Sequence, residues 1–162
     1  MRQINDRELP KAASSALNKA VAKVRTRTVR GVSKRTRIQS KHIRKRFHIS
    51  RSNVRNMKAK MTGYQRAIPV SSVARSPARG KKVRALGKLY QGAFYNTTKR
   101  GGRLHAFQRK SDSRYPIDVV KIEIKKDIDD IFPKVSARVM GAEYQALMRR
   151  ELIYRIKKNV RI

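Results

Sequence analysis

The chain has 162 residues, of which 39% are hydrophobic, and its 43 Lys and Arg against 10 Asp and Glu give a formal charge of +33. A chain of that length builds one domain with one modest core, and such a charge surplus opposes a compact monomer by self-repulsion while favouring polyanionic partners. The lack of cysteine excludes disulfides, thiolate zinc sites and a cysteine nucleophile, and no apolar run approaches the roughly 18 residues of a bilayer-spanning helix.

The charge is unevenly placed. No acid occurs between Glu8 and Asp112, an interval holding 29 Lys or Arg, and eight of the ten acids lie from Asp112 onward. Residues 24 to 47 alone carry ten Lys or Arg. The opening stretch MRQINDRELPK has no signal-peptide hydrophobic region, so assembly in the cytoplasm is expected.

In chain order, Leu9, Ala13, Leu17, Ala20, Val24 and Thr28 recur every three or four residues and predict an amphipathic first helix. Pro10 is tolerated in its first turn, and Gly31 marks a bend or stop near its far end. A basic stripe of Lys19, Lys23, Arg27, Arg30 and Lys34 runs beside the apolar one. A shorter helix is expected over Lys41 to Phe47, with Ser40 as N-cap. Alternation of Met57, Ala59 and Met61 with polar neighbours then predicts a strand ending at Gly63. Pro69 and Pro77 break the chain into loop, and strands follow around Lys82 to Leu86, Ala93 to Thr97, Leu104 to Arg109 and Ile117 to Ile124. The middle pair flanks KRGGR, whose Gly-Gly suits a hairpin turn because glycine accepts positive φ.

A closing helix is expected over 133–158. Val135, Val139, Ala142, Ala146, Ile153 and Ile156 line one face, with Met140, Tyr144, Leu147 and Met148 a quarter turn or more away. A helix apolar over that much of its circumference touches two partners, here expected to be the domain's own sheet and a neighbouring subunit. The reading is therefore α+β: a single domain over 1–162, with a basic helical region over 1–50, a β-rich region over 51–125 holding a small, mostly antiparallel sheet, and the long C-terminal helix.

Little here suggests catalysis. His42, His48 and His105 are too scattered for metal-ligand spacing, and no glycine-rich phosphate loop is present. Asp127, Asp129 and Asp130 in KKDIDDIFPK read as acids just ahead of a helix, capping its free N–H groups, in preference to a magnesium cluster. No enzyme, cofactor or metal is expected. The acid-free basic stripe instead points to a sequence-independent phosphate contact. Phe47, Tyr64, Tyr90, Phe94, Tyr95 and Phe107 are few and alternate as core residues do, so base stacking is not its principal use.

The run AIPVSSVAR, then KKVRALGKLYQGAFYNTT, then GGRLHAFQRKSDSRYPIDVVKIEI, resembles the prophage minor tail protein Z family, also described as tail completion proteins. The order of parts is similar as well: an Ala- and Asn-containing first helix (KAASSALNKAVAKV), a basic second helix, then Ile-Pro and short strands. Ala93, Phe94 and Tyr95 match one strand of the pattern, Ala106, Phe107 and Arg109 another, and Tyr115, Pro116 and Ile117 the step that follows. QALMRRELIYRI resembles the terminal segment, so the likeness spans about Pro10 to Ile156. One departure is KKDIDDIF, which stands where the family commonly has a Gly-Pro turn.

The resemblance implies a structural virion protein of a tailed phage that completes the head-proximal end of the tail for head joining. It implies a ring, commonly hexameric, with other tail or neck proteins and the phage genomic DNA as partners, and no membrane. On that view Lys19, Lys23, Arg27, Arg30, Lys34, Arg37, Lys41, Arg44, Arg46, Lys58 and Lys60 face DNA or an acidic neighbouring ring. Val139, Met140, Tyr144, Leu147, Met148 and Ile153 would form the subunit interface. The rival is a sequence-independent RNA- or DNA-binding protein of ribosomal or nucleoid type, which would be monomeric. A nuclease using Asp127, Asp129 and Asp130 would instead require magnesium.

Overall fold

The computed structural model describes residues 8–74, 82–97, 102, 104–111, 113 and 115–160. The first helix, α1 (Glu8–Thr36), carries Glu8 in its first turn and Lys34 and Arg35 in its last, a charge order that suits the helix dipole. A short α2 (Ser40–Arg44) leads into the β1–β2 ladder (Phe47–Ser50 with Lys60–Gly63), and β3 (Ile68–Pro69) precedes a tight turn at Val70–Ser72. Strands β4 (Lys82–Ala85), β5 (Lys88–Thr97), β6 (Leu104–Arg109) and β7 (Ile117–Val119) form one sheet in that order, antiparallel throughout. Strand β8 (Lys121–Ile122) returns to pair with β3. The chain closes with α3 (Lys125–Arg138), a wide π turn at Val139–Glu143 and α4 (Tyr144–Val160). The architecture is α+β with a long C-terminal helix.

Three apolar clusters hold these parts together. Val29, Val32, Ile38, Ile43, Phe47, Ile68, Ile124 and Ile128 gather where α1, α2, β1 and α3 meet. Ala16, Ala20 and Val24 of α1 pack on Val139 and Leu147 of the closing helix. Val70, Val83, Ala85, Tyr95 and Ala106 lie under the four-stranded sheet. Half-buried Met61 and Phe132 touch the first two clusters, while Val73, Leu86 and Ile122 touch the first and third.

The β5–β6 hairpin matches expectation, with Thr97 opposite Leu104. Most of its Gly-Gly tip, and Pro77, lie outside the described residues. Elsewhere tertiary packing moves the boundaries. In α1 the innermost stripe at the start is Ala12, Ala16 and Ala20, while Leu9 is half exposed. Gly31 does not stop α1, which runs on to Thr36. A Cβ at Gly31 would stand 3.0 Å from Ile131 Cγ2, so the missing side chain lets α3 close onto α1.

The second helix is shorter than expected because Phe47 belongs to β1, opposite Gly63, and its N-cap is Gln39 with no side-chain capping bond. The strand after it is confined to Lys60–Gly63, leaving Met57 exposed.

The closing helix begins at Lys125, eight residues before the expected start, and carries Pro133 inside it. An interior proline costs about 3 kcal/mol. Ile128, Ile131 and Phe132 pack against the first cluster and offset that cost. The three aspartates therefore lie within the first two turns of α3, not ahead of it. The partner of this helix is also corrected: both α3 and α4 pack principally on α1, not on the sheet.

Candidate polyanion-binding face

The acids that return late in the sequence fold back onto α1. Glu143, at the end of the π turn, accepts from Lys23 Nζ at 3.1 Å and from both terminal nitrogens of Arg27, Nη2 at 3.1 Å. Lys19 pairs with Glu151, whose side chain is 8% exposed. Arg35 reaches Asp127 through Nε and Asp130 through Nη1, each at 2.9 Å. Glu8 accepts from Lys11 at 2.7 Å and from Arg155 at 3.1 Å. Pairs running 27 to 143, 19 to 151 and 8 to 155 describe two antiparallel helices laced along one seam, with Ala16, Ala20, Val24 and Leu147 beneath it.

The electrostatics follow from those contacts. Hydrogen bonds from Arg27 and then Lys23 hold the Glu143 carboxyl below its ordinary value, and Glu143 in turn raises Arg27. Lys19 does the same for Glu151, and Lys11 then Arg155 for Glu8. Partial burial, reinforced by Lys41 and Lys45, holds His42 below the ordinary imidazole value.

This arrangement divides the predicted contact residues. Lys19, Lys23 and Arg27 are engaged inside the chain. Arg46 is half-buried and donates to the Ala67 carbonyl at 3.4 Å. Arg30, Lys34, Arg37, Lys41, Arg44, Lys58 and Lys60 are exposed and, among the described residues, have no acidic partner. By contrast Asp118 pairs with Lys110, Asp129 accepts from Gln65, and Glu123 alone of the described acids makes no such bond. The aspartates of α3 thus point to Arg35 and Gln65, and no group of three His, Cys, Asp or Glu converges among the described residues.

The predicted interface residues divide too. Val139 is 0% and Leu147 7% exposed, both buried against α1, so they are not available to a second copy. Tyr144 and Met148 are half-buried on the same cluster. Met140, at 42%, and Ile153, at 52%, face outward, joined by Tyr154 and Ile156, which also stand exposed.

Sequence reasoning passed over Arg25 and Arg51. With His48 they border a groove of about 510 Å³ between α1 and β1. Arg25 lies off the predicted basic stripe, and Arg51 follows a strand that the sequence reading did not place. The one available signal was Asn18, an amide on α1 whose two ends bond the backbone of Ser52.

These features define a basic α+β protein in which most of the described acids are held in internal pairs and the surplus cations face outward. The chain belongs to the prophage minor tail protein Z family, which it matches over residues 1–162. It is 25% identical over 154 residues to the tail completion protein of Escherichia phage N15, covering 88% of this chain and 83% of that protein. It is also 25% identical over 179 aligned positions to tail completion protein Z of Escherichia phage lambda, covering 99% and 91% respectively. No solved structure matches the chain. The family is one of structural phage tail proteins. Among the described residues no helix is long and apolar enough to cross a membrane.

Proposed function

We propose that this protein is a structural, non-enzymatic component of a phage tail that completes the tail at its head-proximal end and readies it for head joining. It acts there as a ring, six copies in the simplest match to a six-fold tube, with other tail and neck proteins as neighbours. The exposed cations Arg30, Lys34, Arg37, Lys41, Arg44, Lys58 and Lys60 meet genomic DNA or an acidic adjoining ring. The outward apolar positions Met140 and Ile153, with Tyr144 and Met148 at their margin, form the contact between copies.

One observation carries the electrostatic part. Glu8, Asp118, Asp127, Asp130, Glu143 and Glu151 are all held in internal ion pairs, so among the described residues the outward cations have no acidic partner. Unneutralised charge of that density favours a polyanionic partner. The test is complementation of tail-defective phage with the triple variant Arg30→Glu, Lys34→Glu, Lys41→Glu. The variant should fold, since none of the three makes an internal pair, yet give few infectious particles. A normal yield would remove this face from the mechanism. Light scattering of nuclease-treated protein at low and high salt tests the ring, for which a mass near six copies is expected.

A further inference from the structure

The groove between α1 and β1 holds two guanidinium groups with no partner among the described residues. Arg25 and Arg51 both line it, and neither makes an ion pair or hydrogen bond among the described residues. His48 and Lys19 also line it; Lys19 is already tied to Glu151. No carboxylate lines the groove among the described residues. Arg27, Arg35 and Arg155 each find an acid, whereas these two, like Arg30, Arg37 and Arg44, do not; what sets Arg25 and Arg51 apart is that they share one groove.

The groove is also held in shape. Asn18 Nδ2 donates to the Ser52 carbonyl at 2.9 Å, and its Oδ1 accepts from the Ser52 amide at 2.8 Å. Ser52 is buried, and its Oγ donates to the Asn56 carbonyl at 3.2 Å. Asn56 N donates to Asn53 Oδ1 at 2.6 Å, closing the turn. This clamp fixes the backbone beside Arg51 against α1 whether or not a ligand is present. On the helix side Ser15 and Ala22 are small, which keeps the groove open.

We propose that this groove binds the phosphodiester backbone of duplex DNA, with Arg25 and Arg51 as its two phosphate contacts. The proposal rests on the reading that the protein meets DNA and adds to the exposed cations named above one built contact, the α1–β1 groove. Guanidinium forks suit phosphate oxygens. The lining is mostly charge and small polar groups, and of its two rings Phe47 is 5% exposed, which leaves only the His48 imidazole open. A single imidazole is no run of platforms for successive unpaired bases, which favours a duplex backbone over a single strand. Nor is there a deep apolar pocket to hold the side chains of an acidic peptide.

The test is fluorescence anisotropy with a mixed-sequence 20-base-pair duplex across a salt series. It compares the native protein with Arg25→Gln/Arg51→Gln and with Arg149→Gln/Arg150→Gln, an equal loss of charge on exposed parts of α4. The groove variant should lose about tenfold in affinity, with a log–log salt slope shallower by about two, at roughly 0.9 per phosphate. The α4 variant should lose little. Asn18→Ala, which leaves charge unchanged, should weaken binding through the released clamp. Equal loss in both double variants would overturn the groove while leaving the DNA reading in place. No duplex binding by the native protein would overturn both. Tighter binding of poly-glutamate than of DNA, lost in the groove variant, would reassign the site to an acidic protein partner.

Discussion

Arg27 and Glu143 lie 116 positions apart in sequence yet meet through both guanidinium ends and both carboxylate oxygens, with Lys23 sharing one of those oxygens. The most basic helix of the chain is thereby partly neutralised by its most acidic third. Part of its basic stripe consequently serves the fold.

Acid should loosen this seam. The carboxyls of Glu8, Glu143 and Glu151 are all lowered in the folded chain from an ordinary value of 4.5. A depressed carboxyl contributes stability that is present above its unfolded value and is lost as pH falls through its folded one. The urea midpoint should hold from pH 7 to about 5 and drop below pH 4.5. Glu143→Gln/Glu151→Gln should flatten that drop; an unchanged profile in the double variant would show that the seam is not its source.

Charge reversal at the seam should be repairable. Arg27→Glu sets two carboxylates against each other with only Lys23 between them and lowers the melting temperature, whereas Arg27→Glu with Glu143→Arg restores an opposite-charge pair. Recovery in the combined variant, read as a coupling between two sites, is the expected outcome.

Leu147 and Ile153 should respond differently although both belong to the apolar closing helix. Leu147→Ala opens a hole against Ala20 and Val24 and should cost about 2–4 kcal/mol of unfolding free energy. Ile153→Ser, at an exposed site, should leave denaturation unchanged within about 0.5 kcal/mol and instead reduce the assembled mass in light scattering.

Gly31 should not accept a branched side chain. With Ile131 Cγ2 only 3.0 Å from an added Cβ, Gly31→Val forces α3 from α1 and should cost about 1–3 kcal/mol. A chain stabilised by this change would show that the two helices are not closely packed there.

Thr28 offers the opposite sign. Its side chain is fully buried and Oγ1 has no hydrogen-bond partner among the described residues. Removing an unsatisfied buried hydroxyl while keeping the branched shape, as in Thr28→Val, should raise stability by about 1 kcal/mol, measurable by chemical denaturation.

Local signals in the chain were enough for the α+β class, the long amphipathic first helix, the Leu104–Arg109 strand and the family resemblance. Each rests on periodicity or on the order of short pieces, which neighbouring residues supply. Three matters were decided only in the tertiary structure. Pro133 looked like a helix start, but Ile128, Ile131 and Phe132 found a core against α1 and the helix began at Lys125. Val139 and Leu147 looked free for a second subunit, but the closing helix packs on α1 and buries them. Lys23 and Arg27 looked like unpaired cations until Glu143 was placed beside them. In all three cases the deciding partner is remote in sequence. Composition and periodicity report what a residue can bury or pair with, whereas the partner that reaches it depends on how the whole chain closes.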